Sequence, residues 1–167
     1  RGLRTLILPN IAALSDAQCE QLRMFVENGG ALIATFETSL YDEWGQPRGD
    51  FGLAGLFGCS YAGKVDSRMQ NSYLALEGPH PLLKGLENTP RVVNSAGRVH
   101  VRPLGQPRGE AATPLKLVPS YPDLPMEDVF PRVMKSDEAQ VFVRAAGKGR
   151  VIYFPGDNKR VPSISPS

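Results

Sequence analysis

Residues 5–36 constrain this chain most. Thr5 to Leu8 is a short, continuous apolar run, as expected of a strand covered on both faces. Pro9-Asn10 stops it. Ser15-Asp16-Ala17-Gln18 has the form of a capping box, with Leu14 and Cys19 at the staple positions on either side. Cys19, Leu22 and Val26 recur at helical spacing and Phe25 widens the stripe. Asp16 falls at the positive end of that helix. Asn28-Gly29-Gly30 ends the helix, and Ala31 to Phe36 reads as a second strand. Strand, helix, strand in so short a span predicts a right-handed crossover between parallel strands. Near the other end, Gln140–Arg144, Gly147-Lys148-Gly149 and Arg150–Phe154 read as a hairpin whose second strand ends at Gly156-Asp157. The class is therefore α/β, with an open and mostly parallel sheet.

Between these ends the pattern loosens. Residues 37–49 form a polar, turn-rich loop. Residues 50–58 read as a short helix with Asp50 as cap and Gly58 as stop. From Tyr61 to Val118 a β-rich insertion is expected, with strand-like pieces at Ser72–Leu76, Arg98–Arg102 and Leu115–Val118. His80 to Leu86 adds one helical turn. Tyr121 to Glu127 is too rich in proline for regular structure.

The 19 basic and 17 acidic residues leave a net charge of +2, too balanced for a nucleic-acid surface. No apolar run approaches the roughly 20 residues that span a bilayer. No partner of either kind is therefore expected. Two cysteines, Cys19 and Cys59, suggest no disulfide framework, and a cytoplasmic setting is the expectation. The chain has no initiator Met and opens almost directly into a strand, so we read it as a piece of a longer polypeptide.

Candidate chemistry is sparse. Asn28-Gly29-Gly30 lies at the wrong end of its helix to cradle phosphate, and Gly147-Lys148-Gly149 joins two strands. His80 and His100 have no Cys or His nearby, so no metal site or cofactor is expected. Both cysteines read as buried hydrophobes. Ser39 follows a strand end, where sites of α/β folds gather, yet it lacks the glycines of a nucleophile elbow. Glu37, Ser39, Asp42 and Asp157 converge on the carboxyl ends of the strands and form a candidate ligand pocket. Tyr41, Trp44, Arg48 and Phe51 form an aromatic and Arg cluster of the kind found at buried interface centres. Trp44 and Phe51 could instead cap their own core.

Five ordered stretches resemble a known family. They are ETSLYDEWG and DFGLAGLFG, within a match that runs over residues 6–58, then HPLLKGL, YPDLPMEDVFPR and GKGRVIYFPGD. This set is similar to the trimerisation domain of family 42 β-galactosidases and related glycosyl hydrolases, a module similar to class I glutamine amidotransferases. The resemblance spans residues 3 to 158. It implies a flavodoxin-like, amidotransferase-like sandwich over residues 1–158, followed by an irregular tail at 159–167. It also implies a module fused to a catalytic TIM barrel of the same polypeptide and active in homo-oligomer assembly, with a trimer the state the family name suggests. The position matching the amidotransferase nucleophile falls near Thr38-Ser39 and has no Cys, and the downstream His-x-Glu is missing, so that chemistry is not carried over. By the same resemblance the chain starts one or two strands late and stops where another helix is expected.

The leading expectation is a noncatalytic structural module of a glycoside hydrolase in carbohydrate metabolism. The alternatives are a sugar- or small-molecule-binding domain with its site at the strand ends, and a hydrolase built on Ser39.

Overall fold

The computed structural model describes residues 2–67, 69, 72–105, 113–119 and 135–157. The proline-rich stretch 121–127 and the tail 159–167 lie outside them. The elements run β1 (Thr5–Leu8), α1 (Asp16–Glu27), β2 (Ala31–Thr35), α2 (Ala54–Phe57), β3 (Cys59–Asp66), β4 (Tyr73–Leu76), a 3₁₀ turn at Pro81–Leu83, β5 (Arg91–Val93), β6 (Arg98–Pro103), β7 (Leu115–Val118), β8 (Phe142–Ala146) and β9 (Gly149–Phe154).

The main sheet has the order β1-β2-β9-β8. β1 pairs with β2 and β2 with β9 in parallel, while β8 returns antiparallel on β9. The strand–helix–strand unit and the terminal hairpin are therefore neighbours in one sheet, and the fold is α/β. The β-rich insertion forms a two-stranded sheet, β3-β6, and a three-stranded sheet, β5-β4-β7.

The local chemistry explains α1. Ser15 Oγ accepts from the Gln18 amide at 3.2 Å, and Gln18 Oε1 accepts from the Ser15 amide at 2.9 Å. Both are groups that a helix start otherwise leaves unpaired. At the other end Gly29 takes a φ of +107°, where an L side chain is strained. The hairpin tip lies against this end, because Lys148 N donates to Glu27 O at 3.0 Å.

One face of the main sheet carries the row Leu8–Ala34–Tyr153–Phe142 across all four strands. This face packs with Cys19 and Val26 of α1 and with Leu53, Leu56 and Phe57 around α2. Tyr153 stacks on Phe57 with ring centroids 4.2 Å apart, and Phe51 meets Tyr153 edge-on at 5.5 Å. On the opposite face Ile152, Phe154 and Val143 pack against Leu83, Leu115 and Val141.

Three expectations need correction. β1 is an edge strand and is not covered on both faces, since Ile7 is 59% exposed. Asp50 does not cap α2; its Oδ1 accepts from the amides of Phe51 and Tyr61, both at 2.7 Å, and the helix begins after Leu53. Gly58 does end it, at φ +74°. The second strand stops at Thr35, because Phe36 has already turned to φ +55°. β3 and β5 had no strand signal of their own. β3 is broken by an irregularity between Tyr61 and Val65, with Gly63 at φ +81°, so no clean alternation marks it.

Candidate functional site

The carboxyl ends of β1, β2 and β9 meet in one place, and backbone strain collects there. Asn10, Phe36 and Ser39 are non-glycine residues at positive φ (+52°, +55° and +67°). Each is held by specific bonds. Asn10 N donates to Thr35 Oγ1 at 3.0 Å. Phe36 N donates to Phe154 O at 2.8 Å, and the Tyr153 hydroxyl donates to Phe36 O at 2.5 Å. Ser39 N donates to Ile11 O at 3.0 Å.

The hydroxyls here hold the loops together. Thr38 is fully buried; its Oγ1 lies 2.7 Å from Thr35 O and 3.2 Å from Leu8 O, and accepts from Ile11 N at 3.2 Å. Ser39 is also fully buried, and its Oγ accepts from Leu53 N at 3.1 Å. Ser39 therefore lies beneath the loop surface and ties the 37–49 loop to the start of α2. Asp42 is occupied by its own turn, with Oδ1 accepting from the amides of Trp44 and Gln46 at 2.9 and 2.8 Å.

Glu37 and Asp157 lie near enough for their charges to interact. Glu37 is half-buried. Its burial pushes its carboxyl above the usual range, a hydrogen bond from Tyr41 works against that, and the nearby Asp157 charge adds to the rise. The Tyr41 phenol is raised in turn, chiefly by the Glu37 charge. Asp157 is positioned through its amide, which donates to Gly97 O at 2.9 Å. The strand ends thus present a Glu37–Tyr41–Asp157 group above a floor of satisfied hydroxyls. Sequence reading singled out these three side chains but not that floor. Thr35, Thr38 and Tyr153 carry it; Thr35 and Tyr153 read in the sequence as ordinary strand residues, and Thr38 as part of the polar loop.

The aromatic and Arg cluster divides. Phe51 belongs to the core, at 4% exposure. Arg48 bonds the loop to the start of α1, through Asp16 at 2.7 Å and Leu14 O at 2.9 Å. Tyr41 turns toward Glu37. Trp44 is 81% exposed and does not cap the core.

A second polar group lies on β3 and β6. Arg98 is 7% exposed and pairs with Asp66 at 3.1 Å and with Glu138. His100 Nε2 lies 2.7 Å from Asp66 Oδ2 and 3.3 Å from an Arg98 nitrogen. Because an ionised carboxylate only accepts, the shorter contact assigns the Nε2 proton toward Asp66, and the Arg98 nitrogen is then a neighbour without a hydrogen bond to Nε2. Burial alone would raise the Asp66 carboxyl, but bonds from His100, Lys64 and Arg98 outweigh it and hold it at about 2. Arg98 and Glu138 border a cavity of about 270 Å³ walled by Val99, Val101 and Phe142. His80 orders its loop, since Nδ1 accepts from Leu82 N at 3.1 Å. It borders a groove of about 720 Å³ beside the 3₁₀ turn.

Cys59 is fully buried, and burial pushes its thiol far up, as for an inert hydrophobe. Among the described residues, no group of three His, Cys, Asp or Glu side chains is placed to hold a metal ion. No helix among them is long and apolar enough to cross a membrane.

This α/β arrangement recurs in solved glycosidases. A cold-adapted β-galactosidase from Rahnella sp. R3 matches 91% of this chain with a TM-score of 0.68 at 20% identity, over 20% of its own length. A GH42 β-galactosidase from G. stearothermophilus matches 92% of the chain with a TM-score of 0.64 at 20% identity, over 19% of its own length. The β-galactosidase from Bacillus circulans sp. alkalophilus matches 92% with a TM-score of 0.68 at 13% identity, again over 20% of its length. The chain thus has the fold of one part of these enzymes and spans about a fifth of each. No protein-family model and no curated protein sequence matches it.

Proposed function

We propose that this chain is a noncatalytic structural module of a β-galactosidase-like glycoside hydrolase, with the reaction carried by a barrel elsewhere in the same polypeptide. The observation that supports this most is the site itself. At the strand ends, where an α/β enzyme places its reactive groups, the Thr38 and Ser39 hydroxyls are buried and engaged with backbone. The likeness to about a fifth of several β-galactosidases points the same way. The module joins copies of the polypeptide, in a trimer, through the exposed Trp44 and the loop around it. The test uses the protein expressed from its full reading frame. Trp44→Ala lowers the mass found by light scattering, while Ser39→Ala leaves hydrolysis of a nitrophenyl β-galactoside intact. Loss of turnover in soluble, folded Ser39→Ala would instead favour a hydrolase centred here.

A second reading has its own observation. Glu37, Tyr41 and Asp157 form a half-open polar group at the strand ends, suited to a sugar hydroxyl or another small polar ligand. A thermal shift with galactose that disappears in Glu37→Gln supports this reading. An equal shift in both proteins assigns the sugar to another site.

A further inference from the structure

We infer that the cavity between β6 and residues 137–142 binds a small, neutral, hydroxyl-bearing molecule of the size of one sugar ring. It shares no lining residue with the Glu37–Tyr41–Asp157 group at the strand ends.

Backbone pairing fixes its walls. Val99 N donates to Pro155 O at 2.9 Å, which ties the start of β6 to the chain beyond β9. Gln140 N donates to Leu115 O at 2.9 Å and Leu117 N to Glu138 O at 3.0 Å, so residues 138–140 run along β7. The space enclosed is about 270 Å³. At about 30 Å³ each it has room for about nine waters. It reaches the surface beside Asp137 and Glu138, which are exposed.

Two buried side chains on this lining have polar atoms without partners among the described residues. Gln140 is 4% exposed; its Nε2 donates to Ala139 O at 3.1 Å, and its Oε1 accepts no hydrogen bond. Arg98 is 7% exposed; its Nε donates to Asp66 and its Nη1 to Glu138. With the His100 Nε2 proton turned to Asp66, Arg98 Nη2 has no acceptor. Buried polar atoms are normally paired. An unused acceptor and an unused donor bordering one cavity point to a ligand that supplies both.

Charge selects its class. The lining carries two carboxylates, Asp137 and Glu138, against one guanidinium, which disfavours an anion. The Arg98 charge and its unused N–H disfavour a cation. A neutral hydroxyl suits both atoms, because it donates and accepts. Water does so too, but Val99, Val101 and Phe142 offer it no hydrogen bonds. The C–H face of a ring polyol covers these walls while its hydroxyls serve Gln140, Arg98 and Glu138.

Residue-resolved hydrogen exchange on the protein from its full reading frame tests this, with D-galactose as the probe. The amides of residues 98–101 and 138–142 should slow about tenfold when galactose stands at about ten times its Kd. The slowing should persist in Glu37→Gln. It should disappear in Gln140→Met, which removes the acceptor at nearly constant volume, and in Val101→Phe, which fills the cavity. No slowing in the unsubstituted protein leaves the cavity to water and overturns the inference. Slowing that survives both cavity variants, or is lost in Glu37→Gln instead, overturns it by placing the sugar elsewhere. Slowing by acetate but not by galactose overturns the neutral class in favour of an anion on Arg98.

Discussion

A Cβ on Gly149 would lie 2.2 Å from the carbonyl oxygens of both Gly30 and Val26. Neither is the mobile tip of a side chain, so the backbones of α1 and β9 would have to separate. Gly149→Ala should therefore destabilise the fold by about 3 kcal/mol, as overpacking does, which urea unfolding will measure. Asp66 gives a residue-scale prediction of a different kind. Its folded pKa, about 2, lies below the ordinary value of 3.8. The stability it adds is present above pH 4 and is lost as the pH falls toward 2. Its carboxylate is partly solvated, so solvent screening reduces that contribution to about 1 kcal/mol. Asp66→Asn should flatten the acid limb of a stability-against-pH curve over that window. Glu37 has the opposite sign. Its raised pKa makes its contribution greatest when protonated, and stability falls as the pH rises above the usual carboxylate range. Glu37→Gln should remove that decline.

At the scale of elements, α1 is the best-specified piece. Ser15 and Gln18 satisfy each other's amides, and Ser15→Ala should cost about 1 kcal/mol and lower the melting temperature by about 3 °C. The cap was legible because both halves of it lie within four residues. α2 shows the opposite situation. Asp50 sits where a cap was expected, yet its carboxylate bonds to Tyr61, eleven residues away at the start of the insertion. A local reading favours the nearby amides and cannot weigh a distant one. The β3–β6 ribbon was hidden for a related reason. Its pairing is stabilised across the chain by Arg98, Asp66 and His100, while Gly63 and the irregular register erase the alternation that would have marked β3.

At the scale of the whole molecule, the main sheet joins residues 5–35 to residues 142–154, and the insertion is accommodated beside it. Among the described residues, Trp44 stands out as a large aromatic on the open surface, at 81% exposure. Under the assembly reading, Trp44→Ala in the full protein should give a lower and concentration-dependent mass while unfolding at an unchanged temperature. A fall in melting temperature without loss of mass would instead assign Trp44 a stabilising role within one copy. The sequence by itself determined the α/β class, α1 with both of its ends, and the terminal hairpin, because caps, turns and apolar periods are short-range signals. Only the tertiary structure decided that β1 is an edge, that Ser39 and Phe51 are buried, and that the Asp66 carboxylate pairs with Arg98. Burial and charge pairing depend on which distant segments fold against each other, and no local pattern records that.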